Sequence, residues 1–307
     1  MIEALTVDRT FNPAITFDCG QSFRWEPIDP AIKIWIGTVR NHVLMLVGHE
    51  VRVVASTEQQ SDSKGEFTEF VERYFSSSDN EQEIHESFPN DPYLKKAATR
   101  YHGLRILTQD PWECLITFVC SINCNIESIK SKVRNLSQQF GSPIRSDFGL
   151  FHTFPEPDAI SKASDIDLIR CKVGFRWKYI KFIARMVSSG ELNLDSLNGL
   201  DFKEARGRLV SKMSGLTLGV GPKVADCVLL FSFHRMEAFP IDVWMLRCLR
   251  ENYAPIIEKV YDTEKNDMTT SDYYRLSELM RQRFGKYAGY AQQYLYLKIR
   301  NDAIYSK

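Results

Sequence analysis

Lys223 and Asp242, nineteen residues apart, are the pair in this chain whose types and setting could do chemistry together. In "LGVGPKVADC", Leu218-Gly219-Val220-Gly221-Pro222 reads as a tight turn into a helix, with Pro222 at the first helical position, where its missing N–H costs nothing. Lys223 then falls in the first turn, at the positive end of the helix dipole, where a cation is disfavoured by about 0.3–1 kcal/mol. Two readings are open. The lysine head reaches water and the position is innocuous, or the misfit favours the neutral, nucleophilic amine. In "EAFPIDVWMLRCLR", Asp242 follows Pro240 and precedes an apolar helix, the place of an N-cap typically worth ~1 kcal/mol. Capping holds a carboxylate rigid and ionised, so it is compatible with a catalytic role. An amine nucleophile beside a fixed carboxylate suits attack on a centre that becomes cationic.

The elements that must position this pair are legible. A helix over "EARGRLVSKM", the Gly219-Val220-Gly221 hairpin and a helix over "PKVADCVLLFSF" make a helix–hairpin–helix. Free N–H groups at such a helix start form a sequence-independent phosphate site, and an ordinary inter-helix turn has the same pattern. Upstream, Ala31 to Ala55 holds three β-rich runs broken at Arg40-Asn41-His42 and Gly48-His49-Glu50, an antiparallel meander. "EFTEFVERYFS" turns helical, and "SSSDNEQEIHESFPND" reads as a loose linker. Beyond Asp91 nearly everything reads as helix, including a capped helix pair from "DPWECLITF" to Gly141. The expected class is therefore α+β: an N-terminal antiparallel β domain with a flanking helix over 1–90, then a helical region over 91–307. The latter contains the helix–hairpin–helix at about 204–234 and a catalytic loop at about 235–243.

Composition bounds the function. The 307 residues are 44% hydrophobic and 25% charged, ordinary for a globular chain large enough for two or three domains. No apolar run approaches 18 residues and "MIEALTVDRTFNP" lacks a basic-then-apolar leader, so neither a membrane span nor a signal peptide is expected, and an intracellular setting is. Seven cysteines without a Cys-x-x-Cys or a zinc-finger histidine point to free thiols and to no metal. The zero net charge hides an asymmetry: Thr57 to Asp91 carries ten acids, Glu58 and Asp62 among them, against Lys64 and Arg73. That segment is −8 and the remainder +8. A polyanion could bind the basic remainder, and a solvated acidic face is the plainer account of the run itself.

With "FDCGQSFRW", "QDPWECLITFVCSINCNIESI", "GVGPKVADC", "FPIDVW" and "GKYAGYAQQYLY" in this order, the chain resembles the 8-oxoguanine DNA glycosylase/AP lyase branch of the helix–hairpin–helix, Gly/Pro-rich loop and aspartate superfamily. The resemblance covers most of the chain. It implies a TATA-binding-protein-like antiparallel sheet domain joined to two helical subdomains, with the active cleft between them. It also implies a monomer acting on double-stranded DNA that contains 8-oxoguanine, with no cofactor and no membrane. The damaged nucleotide would be flipped out of the stack. Lys223 would then attack its anomeric carbon and form a Schiff base, and β-elimination would nick the strand, with Asp242 stabilising the cationic sugar.

Further residues follow from the same resemblance. The Gly20 carbonyl would accept the N–H that oxidation adds to the guanine imidazole ring. Gln292 would read the Watson–Crick edge, and Tyr296, four residues on and so on the same helix face, would stack on the base, with Cys227 as the opposite wall. Asn123 would fill the hole left by the base and contact the estranged cytosine, Phe175 would wedge the kinked duplex, and Arg176 would read that cytosine. Gly219, Gly221 and Trp244 would lie along the DNA.

The chain also departs from the family. Asn-Asn-Asn is Asn123-Cys124-Asn125, a second cytosine-reading arginine is Ser128, a histidine is Trp244, a stacking phenylalanine is Tyr296, and an aspartate is Ile299. These changes suggest an archaeal or bacterial member. No cysteine follows Cys248, which excludes the iron–sulfur branch. The alternatives are a monofunctional glycosylase for alkylated bases, against which Lys223 argues, and a non-catalytic DNA-binding module, which would need neither Asp242 nor the Gln292/Tyr296 pair.

Overall fold

Alternating apolar residues in the meander fold into one face of a five-stranded antiparallel sheet, ordered β1-β5-β4-β3-β2. The computed structural model describes residues 4–29, 33–57, 63–213, 216–217, 219–264 and 267–305. Ala31, Glu58, Asp62 and Leu218, used above, lie outside the described residues. The strands are β1 (Leu5–Thr6), β2 (Trp25–Asp29), β3 (Ile34–Val39), β4 (His42–Val47) and β5 (Glu50–Ser56), with α1 (Pro13–Asp18) between the first two. Helix α2 (Lys64–Tyr74) starts on a Ser63/Glu66 capping box and buries Phe67, Val71 and Tyr74 with Trp25, Leu44, Leu46 and Val51 of the sheet.

The helical body comprises α3 (Glu81–Ser87), α4 (Pro92–Arg100), α5 (Pro111–Cys120), α6 (Ile126–Phe140), α7 (Pro157–Lys162), α8 (Asp165–Arg170) and α9 (Trp177–Ser188). It continues through α10 (Phe202–Val210), α11 (Pro222–Phe233), α12 (Val243–Ile257), α13 (Thr270–Phe284) and α14 (Ala288–Tyr305). Their buried side chains belong to one contiguous core whose residues run from Cys19 to Ile299. Helices α5 and α14 are its centre. Eight of the ten residues of α5 are buried, and α14 is buried on almost every side. No helix among the described residues is long and apolar enough to cross a membrane.

Two expectations are corrected. The stretch read as a loose linker contains α3, capped by Asn80 and tied to the C-terminal helices. Asp79 accepts from Tyr290 (2.5 Å) and bonds His234 (3.0 Å), Glu83 accepts from Tyr287 (2.7 Å), and Asp91 accepts from Arg283 (2.9 Å). Only Ile84 of its apolar residues is fully buried, so periodicity carried no signal; side-chain bonds to distant elements order the segment. The acidic run accordingly splits. Glu66, Glu69, Glu72, Glu83 and Glu86 are exposed, whereas Glu81 and Asp91 are buried in ties to the body.

The region beyond Asp91 is also less uniformly helical than read. Strands β6 (Pro143–Ser146) and β7 (Gly149–His152) form a hairpin whose Ile144 packs with Ile36 and Val43 of the N-terminal sheet. Its four-residue strands are too short for alternation to register. Helix α10 ends at Val210, and Lys212–Met213 and Leu216–Thr217 pair as the short strands β8 and β9 of the hairpin.

Candidate active site

Helix α11 brings Lys223 to the floor of a cleft. Gly221 is its N-cap and Pro222 its first residue, as the turn chemistry requires. Gly219 adopts φ +71°, and a Cβ there would come within 2.4 Å of the Tyr179 ring, so both the turn and the close packing need glycine. From this position the Lys223 ammonium donates to Ser121 Oγ (3.3 Å) and lies 5.1 Å from the centre of the Phe118 ring. Phe118 is backed by a stacked Phe231 at 5.5 Å.

Asp242 caps α12, accepting from the Met245 N–H at 2.8 Å. Burial pushes its carboxyl up, opposed first by the nearby Lys223 charge and then by the N–H groups of Met245 and Trp244. No direct ion pair joins Lys223 and Asp242 among the described residues, and both line the space between them.

That space is a cavity of about 40 Å³ lined by Gly20, Lys223, Cys227, Asp242, Gln292 and Tyr296, with Phe118 and Gln293 among its other walls. Six residues drawn from four separate segments of the sequence thus meet at one point. The Cys227 thiol is pushed up to about 12 by burial, which makes it a neutral wall rather than a nucleophile. Gly20 has φ +75°, and a Cβ there would lie 3.2 Å from the Tyr296 hydroxyl, so the tyrosine ring rests directly against this glycine. The Tyr296 phenol is raised by burial, so the hydroxyl stays neutral, with the Arg300 guanidinium beside it. Arg300 is in turn held by the carbonyl and carboxylate of Asp18 at the end of α1. At about 40 Å³ the cavity is too small for a purine.

The cavity shares Gly20, Phe118, Lys223, Asp242 and Tyr296 with a cleft of about 970 Å³. Asn123, Gly219, Gly221 and Trp244 line the same cleft, and Val243, 79% exposed, stands on its rim. Asn123 is exposed at the turn between α5 and α6, in the left-handed region at φ +50°.

Phe175 and Arg176 do not line the cleft. Phe175 is 54% exposed on a short 3-10 turn before α9, with its ring 4.5 Å from the Arg176 guanidinium. Arg176 is buried, and its donors are already engaged by the carbonyls of Ile122 and Val173 and by Cys124 Sγ (3.1 Å). In this structure it holds the turn that carries Asn123. Ser128, in the first turn of α6, binds the Lys132 ammonium through its hydroxyl.

Sequence reasoning passed over Ser121, Phe118, Gln293 and Arg300. Ser121 and Phe118 carried no spacing signal, since they lie in an apolar run whose partner is 102 residues away in the case of Ser121. Gln293 had one: a glutamine doublet in a helix otherwise rich in aromatic and aliphatic residues. The seven cysteines are all free, and only Cys124 is partly exposed. No group of three or more metal-binding side chains with suitable geometry occurs among the described residues.

Comparison with known proteins shows what the whole chain is similar to. Residues 4–115 match the model for the 8-oxoguanine DNA glycosylase N-terminal domain. The probable N-glycosylase/DNA lyase of Methanothermobacter thermautotrophicus is 30% identical over 71% of this chain and 70% of its own length. The N-glycosylase/DNA lyase of Arabidopsis thaliana is 31% identical over 92% of this chain and 76% of its own. Among solved structures, the Clostridium acetobutylicum 8-oxoguanine glycosylase/lyase bound to duplex DNA with cytosine opposite 8-oxoguanine superimposes with a TM-score of 0.82. It is 30% identical and covers 99% of this chain and 98% of that one.

Proposed function

This chain belongs to the family of 8-oxoguanine N-glycosylase/DNA lyases, and on that premise we propose that Lys223 and Asp242 run both steps of the reaction at the cavity between Gly20 and Tyr296. The enzyme binds duplex DNA along the cleft and takes the damaged nucleotide out of the stack, at a few kcal/mol of unstacking cost. The Lys223 amine forms a bond to the sugar's anomeric carbon. The N-glycosidic bond breaks and the base leaves with its electron pair, taking up a proton. Asp242, fixed by its cap bonds, opposes the positive charge that grows on the sugar. Opening of the sugar gives a Schiff base; loss of a C2′ proton then expels the 3′ phosphate oxygen, and water releases the lysine.

The observation that supports this reading is the convergence of an amine, a rigid carboxylate and a glycine around one cavity. Normal guanine presents an acceptor where 8-oxoguanine presents an N–H, so the Gly20 carbonyl would repel the first and pair with the second. Leaving that buried acceptor unpaired costs about 1–3 kcal/mol. The cavity is too small for the base as it stands, so Tyr296 must move away from Gly20 for the base to enter and then close on its face. Such a protein works in the compartment that holds the DNA.

Incubation with an 8-oxoguanine duplex under borohydride tests the assignment. A covalent adduct is expected. Base release without an adduct would point to a monofunctional glycosylase, and neither product to a DNA-binding module.

A further inference from the structure

Gln293 contributes to the cavity in a way that its neighbour Gln292 does not. Both lie on α14, are almost fully buried and line the same space. The Gln293 amide nitrogen donates to the Gln292 carbonyl oxygen at 2.7 Å. The Gln293 carbonyl oxygen, buried, has no hydrogen-bond partner, and it is the one such side-chain oxygen or nitrogen among the described residues lining this cavity. A buried acceptor left unpaired destabilises a fold, and each such group in a native structure needs an explanation.

We propose that Gln292 and Gln293 read the flipped base as a pair, with the Gln293 carbonyl accepting from its exocyclic 2-amino group. This rests on the cavity being the base site. Guanine and 8-oxoguanine present two adjacent donors on the Watson–Crick edge, the N1–H and the 2-amino group. The glutamine pair carries two carbonyl oxygens at the wall of this cavity. That of Gln292 uses one lone pair on the Gln293 amide and keeps another. That of Gln293 is wholly free. Two acceptors against two donors fit a guanine edge and reject an adenine or cytosine edge, each of which offers one donor beside an acceptor. The bond between the amides also fixes the direction of the Gln292 carbonyl, which a lone glutamine at the end of three rotatable bonds would not have.

The test compares single-turnover excision of 8-oxoguanine with that of 8-oxohypoxanthine, which lacks only the 2-amino group, each opposite cytosine. The natural protein is expected to favour 8-oxoguanine by about tenfold or more, the discrimination one buried hydrogen bond provides. In Gln293→Leu the ratio of the 8-oxoguanine rate to the 8-oxohypoxanthine rate should fall to about one. Equal rates on the two bases in the natural protein overturn the proposal without any variant. So does a Gln293→Leu that loses the same factor on both bases. A natural protein that neither releases nor traps either lesion would instead overturn the enzymatic reading itself.

Discussion

Two nitrogens of the Arg176 guanidinium, Nε at 3.1 Å and Nη2, donate to the carbonyl oxygen of Ile122, the residue before Asn123. A third bond, from Nη1 to the Val173 carbonyl (3.2 Å), anchors the same group to the turn that displays Phe175. One buried cation thus ties together the two turns assigned to the DNA. Arg176→Ala should therefore weaken lesion-duplex binding by about tenfold or more whichever base lies opposite, since charged hydrogen bonds are worth ~1.5–3 kcal/mol. Binding to four duplexes that differ only at that base checks it. A loss confined to the cytosine duplex would return Arg176 to base reading.

Lys223→Gln should retain lesion binding and abolish base release and trapping, because an amide cannot form a Schiff base. The Ser121 hydroxyl that receives the lysine's hydrogen bond holds the amine against Phe118. Ser121→Ala is expected to slow trapping several-fold without changing duplex affinity, which single-turnover kinetics beside a binding titration would separate. A trapped adduct in Lys223→Gln would move the nucleophile elsewhere.

Gly20 is constrained twice, by its positive φ and by the Tyr296 hydroxyl. Gly20→Pro replaces φ +75° by a ring locked near −65°, so the carbonyl must turn. The preference for 8-oxoguanine over guanine should drop by about tenfold or more, as expected for a contact of ~1–3 kcal/mol. Unchanged discrimination in a folded variant would contradict the Gly20 assignment.

Asp242 gives the pH dependence. Burial raises its carboxyl above the ordinary aspartate range, and the role assigned here needs the carboxylate. As pH falls through that raised value the group protonates, so the excision rate should decline on the acid side earlier than for an exposed aspartate, and recover as pH rises. Asp242→Asn should remove this limb and lower the rate by about a hundredfold or more, the scale of losing one electrostatic stabiliser. A pH–rate profile of both proteins settles the point.

The placement of the candidate pair was more legible than its surroundings. Lys223 and Asp242 declare themselves through local rules, a proline at a helix start and an acid at a cap, and local rules survive folding. The meander was equally plain, because alternation of apolar residues is a short-range signal. Helix α3 was not, since its order depends on Asp79 meeting Tyr290 and Asp91 meeting Arg283, partners some 200 residues away. The second role of Arg176 was hidden for the same reason: its type and position suit a base reader, and only the fold brings it to the Ile122 carbonyl. The Gln293 acceptor shows the limit from the other side, visible as a residue but not as an unpaired one.

The opposite base is where this chain should differ from relatives with a fuller reading set. Three positions were assigned to the estranged cytosine by resemblance: Asn123, Arg176 and Ser128. Asn123 is exposed on its left-handed turn and free to enter the duplex. Arg176 is bound to backbone, and Ser128 presents a hydroxyl already engaged by Lys132. A bidentate contact to a base gives ~1–3 kcal/mol of discrimination, so the absence of an arginine at 128 should flatten the preference by roughly tenfold or more. We therefore expect 8-oxoguanine to be excised opposite thymine, guanine and adenine only modestly less well than opposite cytosine. Ser128→Arg, in the first turn of α6, should restore a cytosine preference of about tenfold. Single-turnover excision on four duplexes, for the natural protein and the variant, measures both. A hundredfold cytosine preference in the natural protein would mean that Arg176 leaves the Ile122 carbonyl on binding DNA, or that another side chain reads the partner base.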